Sequence, residues 1–323
     1  MENIGNLAKQ LNVILSEGLA SENFLAKVGT LYTGIQNGDL VGTNIAGSFA
    51  DAATASCNPT WAEGDVMDTK TWSLANIAIY KKFCNETLAS ELKRNQPLDA
   101  IGSPAEELIK AQLTESFIQS VVANGFLGYT GSSTAGLKSI DGIFTQMAVM
   151  ATADPTKKVE IATNTKAAMN AGVTAVDVLE NLIDAGSAKL HAASDQILVM
   201  TDAMWRAVSY NLKVNKGVYV ENQWKALFGG VKETEYDGIP VIVIPTLDGI
   251  IANMGADDLF YKKPYLAAYT TKSNILFGSQ NTVEAGLADV KVQEDFAAQD
   301  TKALVKYSLG AVVANPAYFV LAY

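Results

Sequence analysis

Two cysteines, Cys57 and Cys84, are all that the chain holds. That is too few for a disulfide framework, and their separation is not that of a metal-ligand pair. They read as two reduced thiols in a reducing environment. Histidine is scarcer: His191 is alone, which excludes a multi-histidine metal site within the chain. His191 lies near Ser194 and Asp195, but residues three or four apart in one segment do not reach triad geometry, so it reads as a helix-end or surface histidine. Basic charge is also in deficit, with 24 Lys and Arg against 34 Asp and Glu, a formal net charge of -10. A firm grip on a phosphate backbone needs clustered cations, and the longest clusters are the pairs Lys81-Lys82, Lys157-Lys158 and Lys262-Lys263, which read as solvated surface. No stretch approaches the roughly 18 to 20 apolar residues that span a bilayer. The polar start Met1-Glu2-Asn3 is unlike a secretory signal, so cytoplasmic synthesis without a membrane partner is expected.

Motifs for cofactors are missing too. The glycine-rich stretch from Gly125 to Gly142 lacks the Gly-Lys-Ser/Thr ending of a phosphate loop, and it follows a helix where that motif follows a strand. Glu63-Gly64-Asp65 with Asp68, and Asp257-Asp258, lack the twelve-residue spacing of a calcium loop and read as solvated turns. No catalytic, cofactor-binding or metal-binding residue is assigned, and no cofactor is expected.

What is present is a large apolar complement, 49% of 323 residues, sufficient for a sizeable core. Leu7, Leu11, Ile14 and Leu15, then Ser21 before Phe24, Leu25, Val28, Leu31 and Tyr32, predict two short amphipathic helices. From Gln36 to Ala55 that periodicity is lost and an extended arm is expected. Turn chemistry at Asn58-Pro59 and Glu63-Gly64-Asp65 predicts a long hairpin over Ile45 to Tyr80. Trp61 and Trp72, if exposed on it, would be an apolar liability that a neighbouring subunit must cover. Ser103-Pro104-Ala105-Glu106 combines an N-cap, Pro at the first helical position and a reciprocal Glu. The helix it starts carries the stripe Ile109, Leu113, Phe117 and Val121, with Asn124-Gly125 expected to supply a left-handed stop. At about 1.5 Å per residue it is roughly 30 Å long.

Thr174 is expected to cap a further helix. A strand over Gln196 to Met200 leads into a helix over Ala203 to Leu212, and Val241 to Ile244 reads as a strand buried on both faces. Asn274 to Phe277, Leu287 to Phe296, Lys302 to Val313 and Ala317 to Tyr323 complete the strands. The last of these is so apolar that it must be docked rather than free. Helices mixed with antiparallel strands give α+β.

Six of these pieces in order resemble the major capsid proteins of tailed bacteriophages. Their Hong Kong ninety-seven fold is shared with encapsulins and herpesvirus capsid floors. They are the arm with its hairpin; the Ser103-capped helix; Gly128-Tyr129-Thr130-Gly131 with Gly136-Leu137; the strand and helix from Asp195 to Leu212; Tyr236-Asp237-Gly238-Ile239-Pro240-Val241; and the closing strands from Ile275-Leu276-Phe277-Gly278-Ser279 to Asn315-Pro316-Ala317-Tyr318-Phe319-Val320. The resemblance implies an N-terminal arm over 1–44, an extended loop over 45–80, and a peripheral domain over 81–173 with a spine helix at 104–124. An axial domain over 174–273 and return strands over 274–323 that complete the peripheral domain follow. It also implies a non-enzymatic shell protein, self-assembling through pentamers and hexamers into an icosahedral virion capsid around double-stranded DNA. Synthesis in the bacterial host cytoplasm, a separate scaffolding protein and a portal belong to the same expectation. Trp61, Asp65, Asp68, Lys70 and Trp72 are its intersubunit candidates in the extended loop. Lys70 could serve as a loop crosslinking lysine, but no partner or promoting acid matches, so crosslinking is not expected. An encapsulin-type nanocompartment keeps the fold with a cargo enzyme inside, and a carboxylate-dependent soluble enzyme is the reading outside it.

Overall fold

The computed structural model describes Val13 and residues 25–45, 66–84, 103–215, 225–226, 231–282, 287–295 and 300–323. Apart from Val13, the expected helix around Leu7 to Leu15, with Ser21 and Phe24, lies outside the described residues. The strands are β1 (Thr30–Thr33), β2 (Leu40–Ile45), β3 (Val66–Thr71), β4 (Ala75–Cys84), β5 (Lys158–Val159), β6 (Gln196–Met200), β7 (Lys225–Ala226), β8 (Lys232–Tyr236), β9 (Ile239–Val243), β10 (Ala267–Thr271), β11 (Ile275–Ser279), β12 (Ala288–Asp295), β13 (Asp300–Val313) and β14 (Phe319–Ala322). The longer helices are α1 (Ser103–Val122), α2 (Ile143–Ala153), α3 (Thr174–Asp184), α4 (Asp202–Asn215) and α5 (Thr246–Ala252).

Two sheets organise these elements. In one, β1, β11, β13 and β12 lie in that order, and β4 pairs with β13 along its whole length, from Asp300↔Cys84 to Leu309↔Ala75. The other has the order β5-β14-β10-β6-β9-β8-β7. Its central strands read as continuous apolar runs because alternate side chains enter two different cores. Ile197, Val199, Ile242, Ala268, Phe319 and Leu321 face the core shared with α1 and α2. Leu198, Met200, Val241, Val243, Tyr269, Val320 and Ala322 face the core lined by α3 and α4.

Helix α1 buries its predicted stripe, with Leu113 and Phe117 fully inside. Phe117 meets Tyr307 of β13 edge to face with centroids 5.0 Å apart. The Tyr307 hydroxyl, whose titration burial pushes well upward, lies 2.7 Å from Ser120 Oγ. Phe126, Phe144 and Phe277 then join α1, α2 and β11 in one aromatic cluster.

Several expectations are corrected. Helix α1 does not end in a left-handed residue at Asn124-Gly125; it continues through a π turn, Ala123–Leu127. Gly125 lies under the ring of Phe277, where a Cβ would sit 3.3 Å from Cε1. Close approach to that ring, not handedness, is what a side chain would meet there. Thr174 is not a cap: Val173 holds that position and the Thr174 hydroxyl donates to Ala171 O. Leu31 and Tyr32 leave the helical turn Leu25–Val28 for β1, parallel to β11, so part of the arm is built into the sheet.

The hairpin differs as well. Its strands are β2 and β3, from Leu40↔Thr71 to Ile45↔Val66, while the stretch that ends at Tyr80 belongs to β4 on β13. Finally, β14 does not complete the sheet of β13. It pairs antiparallel with β10 and parallel with β5, inside the seven-stranded sheet. The turn Asn315-Pro316 carries the chain from one sheet to the other, with Asn315 Oδ1 accepting from Ala317 N.

Candidate functional site

The root of the β2–β3 hairpin is built around Trp72. Tight backbone pairing fixes it: Trp72 N donates to Asp39 O and Gly38 N to Trp72 O, both at 2.9 Å. Two glycines opposite each other in the β11–β13 register, Gly278 and Gly310, make a flat floor for the indole. A Cβ on Gly278 would stand 2.7 Å from Trp72 Cζ3, and one on Gly310 3.2 Å from Trp72 Cε3. The indole is 4% exposed and packs with Val41, Leu276 and Val312. Trp72 is thus a core residue of its own chain, which corrects its expected place as an exposed intersubunit residue. Its apolar area is satisfied within the subunit because two residues without side chains leave a slot for it. Next to it, Lys70 Nζ donates to Val313 O at 2.6 Å, so this lysine is spent on the hairpin root. Asp68 pairs through its backbone with Thr43. Trp61 and Asp65 lie outside the described residues.

Exposed apolar side chains stand on β2 and, well along the strand from the root, on β4. Leu40 is 70% and Tyr80 74% exposed. Among the described residues β4 has β13 as its one neighbour, so its other edge presents backbone donors and acceptors. Such an edge invites pairing unless something covers or blunts it. Lys81 and Lys82 blunt one end, and Lys82 Nζ is 2.5 Å from the buried carboxylate of Asp300.

The candidate chemical groups of the sequence do not converge. His191 sits at the end of the turn Ala188–His191 with its ring 5.9 Å from Tyr269, and the Asp195 carboxylate accepts from Ser273 N at 2.9 Å. Asp258 accepts from Thr134 Oγ1 at 2.6 Å and from Gly255 N at 2.9 Å, tying the glycine-rich loop to the loop before β10. The glycines of that loop serve crossing backbones: a Cβ on Gly142 would stand 2.6 Å from Phe126 O, and one on Gly128 2.6 Å from Asn124 O.

One acidic pocket went unread in the sequence. Parallel strands β6 and β9 each run directly into a helix, which sets the first turns of α4 and α5 side by side. There Asp248 Oδ2 accepts from Ala203 N at 3.0 Å, Asp202 Oδ2 lies 2.5 Å from Arg206 Nε, and Lys166, Tyr210 and Tyr265 help close a cavity of about 380 Å³. The available signal was two successive strand-to-helix units, each with an Asp in its first helical turn. Burial pushes the Asp248 carboxyl up to about 6; the Ala203 amide opposes this and the Asp202 charge adds to it. Two carboxyl groups, Asp202 and Asp248, thus face one cavity, with Asp202 engaged by Arg206 and Lys232, and among the described residues that line it there is no serine, cysteine or histidine.

The pocket carries a stability prediction. A carboxyl whose folded value exceeds its unfolded value of about 4 favours the fold when protonated. That contribution is full below about pH 4 and is lost as pH rises through about 6. Asp248→Asn should therefore raise stability at pH 7 by about 1 kcal/mol, after screening by solvent, and flatten the pH dependence between those limits. Urea titrations at pH 4.5 and 7 check it.

No protein-family model and no curated protein matches the sequence. Solved structures do match it, over nearly the whole chain. A structure from Mycobacterium phage Ogopogo aligns with TM-score 0.55 at 13% identity, covering 93% of this chain and 91% of that one. The capsid of a native GTA particle aligns with TM-score 0.54 at 14% identity, covering 95% and 89%. The procapsid of satellite phage P4, which includes a size determination protein, aligns with TM-score 0.51 at 11% identity, covering 97% and 98%. The chain has the fold of tailed-phage major capsid proteins. That fold is the Hong Kong ninety-seven type, α+β, as the order of its sequence pieces implied.

Proposed function

We propose that this chain is the structural subunit of an icosahedral shell, assembled through pentamers and hexamers around packaged double-stranded DNA. One observation carries the reading. A chain with a capsid fold over almost its full length also keeps the β2–β3 hairpin, a β4 edge that no other described strand pairs, and exposed Leu40 and Tyr80. Copies packed side by side would cover them, through contacts of the roughly 1,000 Å² or larger class. The role proposed is structural, with no reaction assigned. The virion capsid is the proposed location, formed in the bacterial host cytoplasm with a separate scaffolding protein and a portal. With a formal net charge of -10, the wall would enclose DNA without adhering to it.

Negative-stain microscopy and gradient sedimentation of the purified chain test this. Closed shells or capsomer rings are expected, alone or with the scaffold. A monomer under every assembly condition would sink the proposal.

A further inference from the structure

The turn expected at Asp257-Asp258 is solvated only in part. Asp257 is exposed, whereas Asp258, in the loop between α5 and β10, is 6% exposed and sits against the glycine-rich loop. Its Oδ2 accepts from the Thr134 hydroxyl at 2.6 Å and from Gly255 N at 2.9 Å, both neutral donors. Its Oδ1 is shut off from solvent and accepts from no described group, and no described lysine or arginine pairs with the carboxylate. A charge buried this way costs free energy unless a partner of opposite sign meets it.

Oxygen atoms from two distant loops converge beside it. Gly255 has no side chain, and a Cβ placed there would lie 2.9 Å from Ser133 Oγ, 3.2 Å from Thr134 Oγ1 and 3.8 Å from Asp258 Oδ2. The Thr134 hydroxyl donates its proton to Asp258 and accepts from Gly255 N at 2.8 Å, so one lone pair of its oxygen remains. Ser133 is exposed, which opens the cluster to water on one side. One carboxylate and two hydroxyls, with neither nitrogen nor sulfur among them, are the donor set of a hard cation whose other ligands are waters.

We propose that Asp258, Thr134 and Ser133 form a binding site for a hard divalent cation of the calcium class, which ties the glycine-rich loop to the loop before β10. Among the described residues no three carboxylate, histidine or cysteine side chains come together, so a single charge carries the affinity and the site is a weak one. The proposal is independent of the shell reading above.

Equilibrium dialysis of calcium against the full chain at fixed ionic strength tests it, together with thermal melting. One ion per chain is expected, half-saturating at about 0.1 to 1 mM, with a melting temperature that rises over the same range. Asp258→Asn keeps the shape and the hydrogen bonds but removes the charge, and should weaken binding by about tenfold or more. Gly255→Ala leaves the carboxylate in place and pushes a methyl group against the oxygens. It should also weaken binding, and it replaces Asp258→Asn as the test if that variant does not fold. Asp257→Asn, next in the chain and exposed, should bind as wild type does. Binding lost in Asp257→Asn but kept in Asp258→Asn would overturn the proposal, in favour of loose attraction to surface acids. No binding by wild type well above that range, or equal binding by wild type and a folded Asp258→Asn, would overturn it too.

Discussion

Deleting residues 319–323 is expected to leave no soluble, folded subunit. Strand β14 is an interior strand, with β5 on one side and β10 on the other, and Phe319, Val320, Leu321 and Ala322 are all fully buried. Its side chains divide between both cores of the sheet, so the deletion opens the two together. It also strips β10 of one edge from Ala267 to Thr270 and leaves Lys158–Val159 unpaired. Unpaired edges beside exposed apolar surface favour aggregation. The milder Leu321→Ala should fold with a loss of roughly 2 to 5 kcal/mol, set by the cavity it leaves. Solubility after expression, and urea unfolding of the point variant, check both. A soluble, monodisperse truncated subunit would show that β14 is not structural.

Trp72→Ala should cost roughly 3 to 5 kcal/mol, the range for truncating a buried large aromatic. Most of that loss would fall on the hairpin root, because the indole lies over Gly278 and Gly310 beside Ile35 and Leu74 and packs with Val41, Leu276 and Val312. Limited proteolysis of free subunits should then cut faster between residues 45 and 66. Chemical denaturation separates this from the assembly role expected from sequence. If Trp72→Ala left subunit stability unchanged and blocked assembly alone, the indole would be an intersubunit residue after all.

The local grammar of the chain was legible where backbone and periodicity speak for themselves. The stripe Ile109, Leu113, Phe117 and Val121 predicts the buried face of α1, and β6 followed by α4 is read correctly to within three residues. Strand β9 is buried on both faces, as its β-branched run implies. Strand β10 was missed: Ala267-Ala268-Tyr269-Thr270-Thr271 has no alternation because both of its faces are covered. Leu31 and Tyr32 continue the helical spacing of Leu25 and Val28, yet parallel pairing to β11 overrides that weak propensity and makes Thr30–Thr33 a strand. The acidic pocket was invisible for another reason. Asp202 and Asp248 meet only because β6 and β9 run parallel and release their helices at one end of the sheet.

The sequence by itself determined the class α+β, the buried spine and the docked apolar end, since each follows from periodicity, capping and strand patterning along a contiguous segment, while the capsid fold was implied there by a resemblance in the order of the pieces. Only the tertiary structure decided which sheet receives the last strand, which hydroxyls converge on Asp258, and that Trp72 faces inward. Those outcomes depend on which distant backbones come within 5 Å of each other. Residues such as Gly278 and Gly310 settle that by leaving space, and a gap has no signature until its neighbour across the sheet is known.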